Sequence, residues 1–333
     1  MTDKRLQLAR AWTRDTLANP AIELEPASAD ASFRRYLRVV GAERSYIVMD
    51  APTENEDMGP FSRAATRLLA LGLNVPVIFA ANRDQGLLLL SDLGNTTYLQ
   101  CLTPSNADRL YGDAFGALVI LQAGSSTDPK FFPDYDRNLL NAEMALFRDW
   151  FLLRHLDIRL TPEQRHRLDA VFADLSAAAL EQPNTWVHRD YHSRNLMRTA
   201  TNNPGILDFQ DAVSGPITYD LVSLLRDCYV EWPAERVTEW AKRYYQLGVH
   251  SGLPVGANED RFLEWFDWMG VQRHLKAIGI FARLYRRDGK PGYLADIPRV
   301  LRYIHTQANR YAELASLNEV ITPLLKDRRV WTQ

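Results

Sequence analysis

Three short β-rich runs interrupt a half of the chain that otherwise reads as long amphipathic helices, and their spacing limits how this part can fold. Trp186 and Val187, Leu196 to Arg198 and Ile206 to Asp208 are the runs, and Thr201-Asn202-Asn203-Pro204-Gly205 between the last two is a strong turn signal. The last two runs therefore form a hairpin. With its turn centred between Thr201 and Asn202, Asn195 falls opposite Asp208, where facing Cα atoms lie about 4.5–5.5 Å apart. Two oxygen ligands then meet on one metal ion.

The residues on this framework carry a consistent chemistry. Val187 to Met197 reads VHRDYHSRNLM, and the chain returns to a carboxylate at Asp208 within ILDFQDA. A His-x-Asp pair, an Asn five residues after the Asp, and a second Asp fit the parts needed to move a phosphoryl group. Asp190 is placed to accept the proton of an attacking hydroxyl. Asn195 and Asp208 form a sufficient protein share for Mg²⁺, which completes its octahedron with water and phosphate. Read instead as a transition-metal site, His188, Asp190 and His192 lack an outside ligand spaced near them, and the Asp208-Phe209 pair is left without a role.

Composition narrows the class further. The 333 residues, 46% of them hydrophobic, suffice for a large core divided between two lobes. A formal charge of −2 without a long Lys/Arg block argues against nucleic-acid or membrane partners, and no obligatory protein partner is evident. The opening MTDKRLQLARAW is an amphipathic helical pattern without an apolar signal core. Cys101 and Cys228, far apart, suit a reducing compartment, so cytoplasmic residence is expected.

Residues 1–20 read as an N-terminal helix, 21–94 as a small nucleotide-binding lobe and 95–333 as a catalytic and acceptor-binding lobe. The small lobe combines strands at Phe33 to Val40, Ser45 to Met49, Val75 to Ala80 and Gly86 to Leu90 with one helix, Phe61 to Leu71. Beyond Thr97 the spacing predicts helices over Ala107 to Gln122, Asn138 to His155, Pro162 to Leu180, Tyr219 to Tyr229, Ala234 to Gly248, Glu259 to Arg287 and Ile297 to Leu314. Ser91, Asp92, Leu93 and Gly94 form the hinge, where an adenine can bond exposed backbone groups.

The phosphate grip departs from the usual kinase pattern of a Gly-rich loop and a strand lysine. The loop Ala27 to Ser32 has no glycine, so a cradle there relies on backbone N–H groups and the Ser28 and Ser32 hydroxyls. No lysine occurs between Lys4 and Lys130, which leaves an arginine to supply the cation. Arg34 and Arg35 are nearest, and in a strand they point to opposite faces. Arg34 is the one assigned to the nucleotide.

The chain resembles the aminoglycoside phosphotransferase-like family of small-molecule kinases over about residues 21 to 310. Within it the sequence looks most like the bacterial anomeric amino-sugar kinases, on DASFRRYLRV (Asp30 to Val39), SYIVMDAP (Ser45 to Pro52), LLLLSDLG (Leu87 to Gly94), VHRDYHSRNLM, ILDFQDAVSGPITYDLVSLLRD (Ile206 to Asp227) and QRHLKAIGIFARL (Gln272 to Leu284). The resemblance implies an α+β, protein-kinase-like two-lobed fold, with a β-rich N-lobe carrying one packed helix and a mostly helical C-lobe carrying the catalytic hairpin. It further implies ATP and Mg²⁺, Asp190 as base, Asn195 and Asp208 on the metal, and Asp220 as a buried anchor fixing the catalytic loop through backbone N–H groups.

The expected reaction is phosphorylation of the anomeric hydroxyl of N-acetylmuramate or N-acetylglucosamine during cell-wall recycling. Only eleven residues separate Asp208 from Asp220, and no Ala-Pro-Glu signature closes a peptide platform, so the acceptor is small. Arg194 and Arg273 are the candidate cations for a lactyl carboxylate, and His192, Gln210 and Asp211 are candidates for ring hydroxyls or the acetamido group. Trp232, Trp240, Trp265, Phe266 and Trp268 either wall the pocket or fill the core. The rival readings are an aminoglycoside-modifying kinase, whose polycationic substrate favours an acidic pocket, and a catalytically silent nucleotide-binding protein.

Overall fold

The computed structural model describes residues 3–28, 34–54, 56–256, 258–326 and 330. Two compact units emerge: Met1–Ala117 with Arg194–Asp211, and Leu118–Ser193 with Ala212–Gln333. Among the described residues no helix is long and apolar enough to cross a membrane.

The first unit opens with α1 (Lys4–Thr16), whose N-cap Asp3 accepts from the Leu6 N–H at 3.0 Å. Strands β1 (Glu23–Ser28), β2 (Arg35–Val40) and β3 (Tyr46–Asp50) precede α2 (Met58–Ala70), and β4 (Ile78–Asn82) and β5 (Leu87–Ser91) follow it. They form one antiparallel sheet in the order β1-β2-β3-β5-β4. Alternation explains the buried face: Leu37 and Val39 of β2 and Leu87 and Leu89 of β5 meet Ala9 of α1 in one cluster. Leu88 and Leu90 are buried as well, so the four-leucine run is covered on both faces. Gly86 (φ +69°) starts this strand because a Cβ there would lie 2.0 Å from the Ala51 carbonyl oxygen. The strand expected from Val75 starts later, at Ile78, since Pro76 has no N–H for the ladder.

Helices α3 (Tyr98–Cys101) and α4 (Ala107–Gly124) come next, and the division between the units falls within α4. The hairpin pairs Leu196 with Ile206 and Met197 with Gly205. This corrects the expected register by one residue, since Asn195 now meets Leu207 rather than Asp208. The strands are also shorter than expected, ending before Asp208, whose φ of +64° turns the backbone out of the ladder. The hairpin is tied into its unit by Ile206 N–H to Asn74 O and Arg198 N–H to Thr96 O, both 2.8 Å.

The second unit is mostly helical. It contains α5 (Arg137–Leu146), a π-helical segment Phe147–His155, α6 (Pro162–Glu181), α7 (Tyr219–Leu225), α8 (Ala234–His250), α9 (Glu259–Asp288), α10 (Ile297–Arg310) and α11 (Ala315–Leu325). An antiparallel strand pair, Asn184–Val187 with Val213–Pro216, leads into and out of the hairpin segment. The 30-residue α9 is central, with Val271, Leu275, Ile278 and Ala282 in a core shared with Phe147, Phe151, Leu168 and Leu301. The expected helix Asn138 to His155 changes to π geometry at Phe147, where Gly279 brings α9 against the Leu146 and Phe147 backbone. The helix from Tyr219 stops at Leu225, short of Tyr229, whose N–H is taken by the Asp227 carboxylate at 2.9 Å. The last predicted helix likewise stops at Arg310, because Tyr311 is extended.

Candidate active site

The segment His188 to Ser193 follows the end of a buried strand and is held by two carboxylates. Asp220, in the first turn of α7 and fully buried, accepts from the His188 N–H at 2.6 Å and the Arg189 N–H at 2.9 Å. These bonds fix Arg189 at φ +75°, a left-handed bend that turns Asp190 out of the strand direction. Asp227 accepts from the Ser193 N–H at 2.9 Å at the far end of the loop. Burial raises the Asp220 pKa to about 6, even though His188 and the two N–H groups favour its charge.

Asp190 lines a pocket with His192, Tyr219, Cys228, Tyr229, Arg273 and Lys276. Burial opposes the Asp190 charge, but Lys276, His192, Arg273 and His188 more than offset it and bring the pKa to about 2. The carboxylate is therefore ionised at neutral pH and able to accept a proton. Burial lowers the pKa of His192, so this ring is neutral at pH 7. Its Nδ1 has no hydrogen-bond partner among the described residues.

Lys276 is the residue that sequence reasoning missed. Its Nζ donates to Tyr219 Oη and pairs with Glu143 Oε1, both at 3.0 Å. Glu143, on α5, also binds Arg189 and the Tyr135 hydroxyl, so the segment His188 to Ser193, α5 and α9 share one buried network. Burial disfavours the Lys276 ammonium, yet Tyr219, Glu143 and Asp190 hold its pKa above the ordinary value. The available signal was helical spacing, which sets Arg273, Lys276, Ala277 and Ile280 on the pocket face of α9.

The first unit gathers the other polar set. Asn195 Nδ2 lies 3.4 Å from Asp208 Oδ2, and Gln210 Nε2 donates to Asp208 Oδ1 at 2.6 Å. The side chains meet despite the shifted register because Asp208 turns back in left-handed geometry. An amide flip would present Asn195 Oδ1 beside the exposed carboxylate, which suits a hard cation that takes few protein ligands. Among the described residues, no three His, Cys, Asp or Glu side chains converge as a transition-metal cage requires.

Arg34 and Arg35 take different partners, Arg34 just ahead of β2 and Arg35 as its first residue. Arg35 is bound to Asp50 and Asp3, with Arg5 also on Asp50. Arg34 pairs with Glu56 at 2.8 Å, just ahead of α2, and feels the charge of Asp208. Of the hinge residues, Ser91 Oγ accepts from the Val77 N–H at 2.9 Å. The Asp92 carboxylate is committed to Arg38 (2.8 Å), Ser45 and the Gly94 N–H (2.8 Å), so only backbone groups of Asp92 remain for a nucleotide. Leu93 packs toward Gly205. Ser32 lies outside the described residues, as does the Ser28 side chain. Arg194 and Asp211 are exposed.

The pocket's rings are Tyr219, Tyr229 and Phe281. Trp240, Trp265 and Phe266 are buried in the fold, and Trp232 and Trp268 are half-buried without lining the pocket. These five rings serve packing.

A unit built on a β-sheet with helices, a mostly helical unit, and an Asp-bearing loop held by a buried Asp define an α+β kinase-like fold. The chain belongs to the phosphotransferase enzyme family, whose model matches residues 23–257. It is an enzyme, a kinase of that family. It is 46% identical over 332 residues, 97% of each chain, to the N-acetylmuramate/N-acetylglucosamine kinase of Pseudomonas aeruginosa. It is 42% identical over 326 residues, 96% of each chain, to the protein of the same name from Neisseria meningitidis. Among solved structures, ADP-bound aminoglycoside phosphotransferase APH(2'')-Ib shares the fold with a TM-score of 0.57 at 17% identity, covering 92% of this chain and 98% of that one.

Proposed function

We propose that the protein is an ATP-dependent sugar kinase that phosphorylates the anomeric C1 hydroxyl of an N-acetylated amino sugar, N-acetylmuramate or N-acetylglucosamine, in the cytoplasm during peptidoglycan recycling. The observation that carries this reading is an ionised Asp190 in a pocket whose other charged groups are the cations Arg273 and Lys276. The names of relatives matching almost the whole chain support the acceptor class. A polycationic aminoglycoside would meet two like charges there, which disfavours that rival.

In this reading Asp190 receives the proton of the anomeric hydroxyl as the new bond to phosphorus forms. That hydroxyl is more acidic than an ordinary alcohol, so a carboxylate of low pKa suffices late in the transfer. Asn195 and Asp208 hold Mg²⁺, which supplies charge neutralisation of the nucleotide phosphates. Arg34, held by Glu56, supplies the phosphate cation in place of a strand lysine. Ser28, Ser32 and the backbone of Ser91, Asp92 and Leu93 bind the nucleotide. His192, Arg194, Gln210, Asp211 and Arg273 contact the sugar. Asp220 keeps the loop in its bent form.

The test is ³¹P and ¹³C NMR of a reaction with ATP and a panel of amino sugars and aminoglycosides. Phosphorus coupled to C1 of an N-acetylated amino sugar is expected, whereas phosphate on another oxygen, or transfer only to aminoglycosides, would overturn the reading. Asp190→Asn is expected to lower kcat by at least about 10²-fold while ATP binding is retained.

A further inference from the structure

Among the described residues, the buried arginines and lysine of the second unit are Arg226, Arg273 and Lys276, and Arg273 forms no ion pair. Arg226 pairs with Asp267, and Lys276 pairs with Glu143. Arg273 is only 5% exposed, yet among the described residues its one hydrogen bond runs from Nη1 to Cys228 Sγ at 3.6 Å. Cys228 cannot neutralise it, because burial pushes the thiol pKa up to about 11. Asp227 is within electrostatic reach, but its two oxygens accept from the N–H groups of Ser193 and Tyr229. Asp190, also within reach, is the proposed proton acceptor.

A guanidinium removed from water and bonded to a weak sulfur acceptor is costly, and the cost is relieved when an anion arrives. Its planar fork matches a carboxylate bidentately, and such charge-assisted bonds are roughly twice as strong as those to neutral hydroxyl or amide oxygens. Because Arg273 lines the pocket with Asp190, the anion it receives belongs to the acceptor. Lys276, between Glu143 and Tyr219, is already satisfied and is the poorer receptor.

We infer that Arg273 is the specificity-determining residue that binds the carboxylate of an acidic acceptor sugar, the lactyl group of an N-acetylmuramate-type substrate, in preference to a neutral amino sugar. The inference rests on the proposed function for the identity of the sugar, and on the geometry of Arg273 for its carboxylate.

The experiment compares kcat/KM for N-acetylmuramate and N-acetylglucosamine in the wild-type enzyme, Arg273→Met and Arg273→Lys. Loss of hydrogen bonds to a charged group predicts that the muramate-to-glucosamine ratio falls about 10- to 150-fold in Arg273→Met, with part of it restored in Arg273→Lys. A purely structural role would slow both sugars alike, and a ratio within about twofold of wild type in both variants would overturn the inference. So would a wild-type enzyme that uses only the neutral sugar. If wild type phosphorylates neither sugar, the proposed function fails, and calorimetry with N-acetylmuramate decides the receptor separately. Binding by wild type that is lost in Arg273→Met sustains it; equal binding or none rejects it. If Arg273→Met does not fold, Arg273→Lys alone must lower the ratio.

Discussion

Asp220→Asn tests how the catalytic loop is held, because the buried carboxylate orders the loop and also costs stability when ionised. Its two oxygens accept from His188 N–H at 2.6 Å and Arg189 N–H at 2.9 Å. Asn retains one acceptor and turns an NH₂ group toward the other N–H. Leaving that donor unsatisfied costs about 1–3 kcal/mol at any pH. Against this, burial raises the folded-state pKa from 3.8 to about 6. The side chain therefore contributes most stability below pH 3.8 and loses it as pH rises through 6, a loss of about 3 kcal/mol at 1.36 kcal/mol per unit. Asn does not titrate, so the variant should be clearly less stable than wild type near pH 4 and close to it at pH 7.5. Denaturant unfolding of both proteins across that range measures the difference, and groups common to both cancel. A stability gap unchanged between pH 4 and pH 7.5 would refute the assigned cost of ionisation. At pH 7.5 kcat should still fall, because the bend at Arg189 depends on both bonds.

Two further substitutions probe the metal pair and the helical core. Asp208→Ala should remove the Mg²⁺ dependence of nucleotide binding, since it deletes the carboxylate that Asn195 and Gln210 address; an unaltered Mg²⁺ titration would contradict the metal assignment. Gly279→Ala should destabilise the fold by about 1–3 kcal/mol. Its Cβ would lie 2.3 Å from the Leu146 carbonyl carbon, a backbone atom that cannot simply rotate away, and unchanged thermal unfolding would show that the close approach is relaxed.

What the sequence revealed followed from periodicity and fixed spacing. The alternating strands around Leu37 and Leu87 and the long helix through Val271 and Leu275 have local signals, whereas the Asp220 contact with His188, 32 residues earlier, was implied by the family resemblance. The hairpin was visible too, but its register is one residue off the expected pairing, because register is set by the geometry of the turn, which no hydrophobic pattern encodes. Glu143 and Lys276 were hidden for a different reason. They are distant in sequence and meet only when α5 and α9 pack. The expected strand alternation set Arg34 and Arg35 apart without choosing between them, whereas Glu56, which pairs with Arg34, precedes a helix at no motif spacing.

The proposed placement of acceptor recognition on α9 has a structural consequence. Val271, Leu275, Ile278 and Ala282 form its core stripe, while Arg273, Lys276, Ala277 and Ile280 form its pocket stripe on another face. The core stripe fixes the helix without reference to the acceptor, so a side chain on the pocket stripe can change the charge offered to a substrate without moving the backbone that presents it. Lys276 is restrained by Glu143, which it shares with Arg189, so replacing it would unbalance the catalytic loop. Arg273 has no such ion pair, although its charge helps to keep Asp190 ionised. In the proposed reading Arg273 is therefore a position at which acceptor preference can change without breaking the Glu143 network, and the ratio of acidic to neutral sugar turnover is the quantity that reports it.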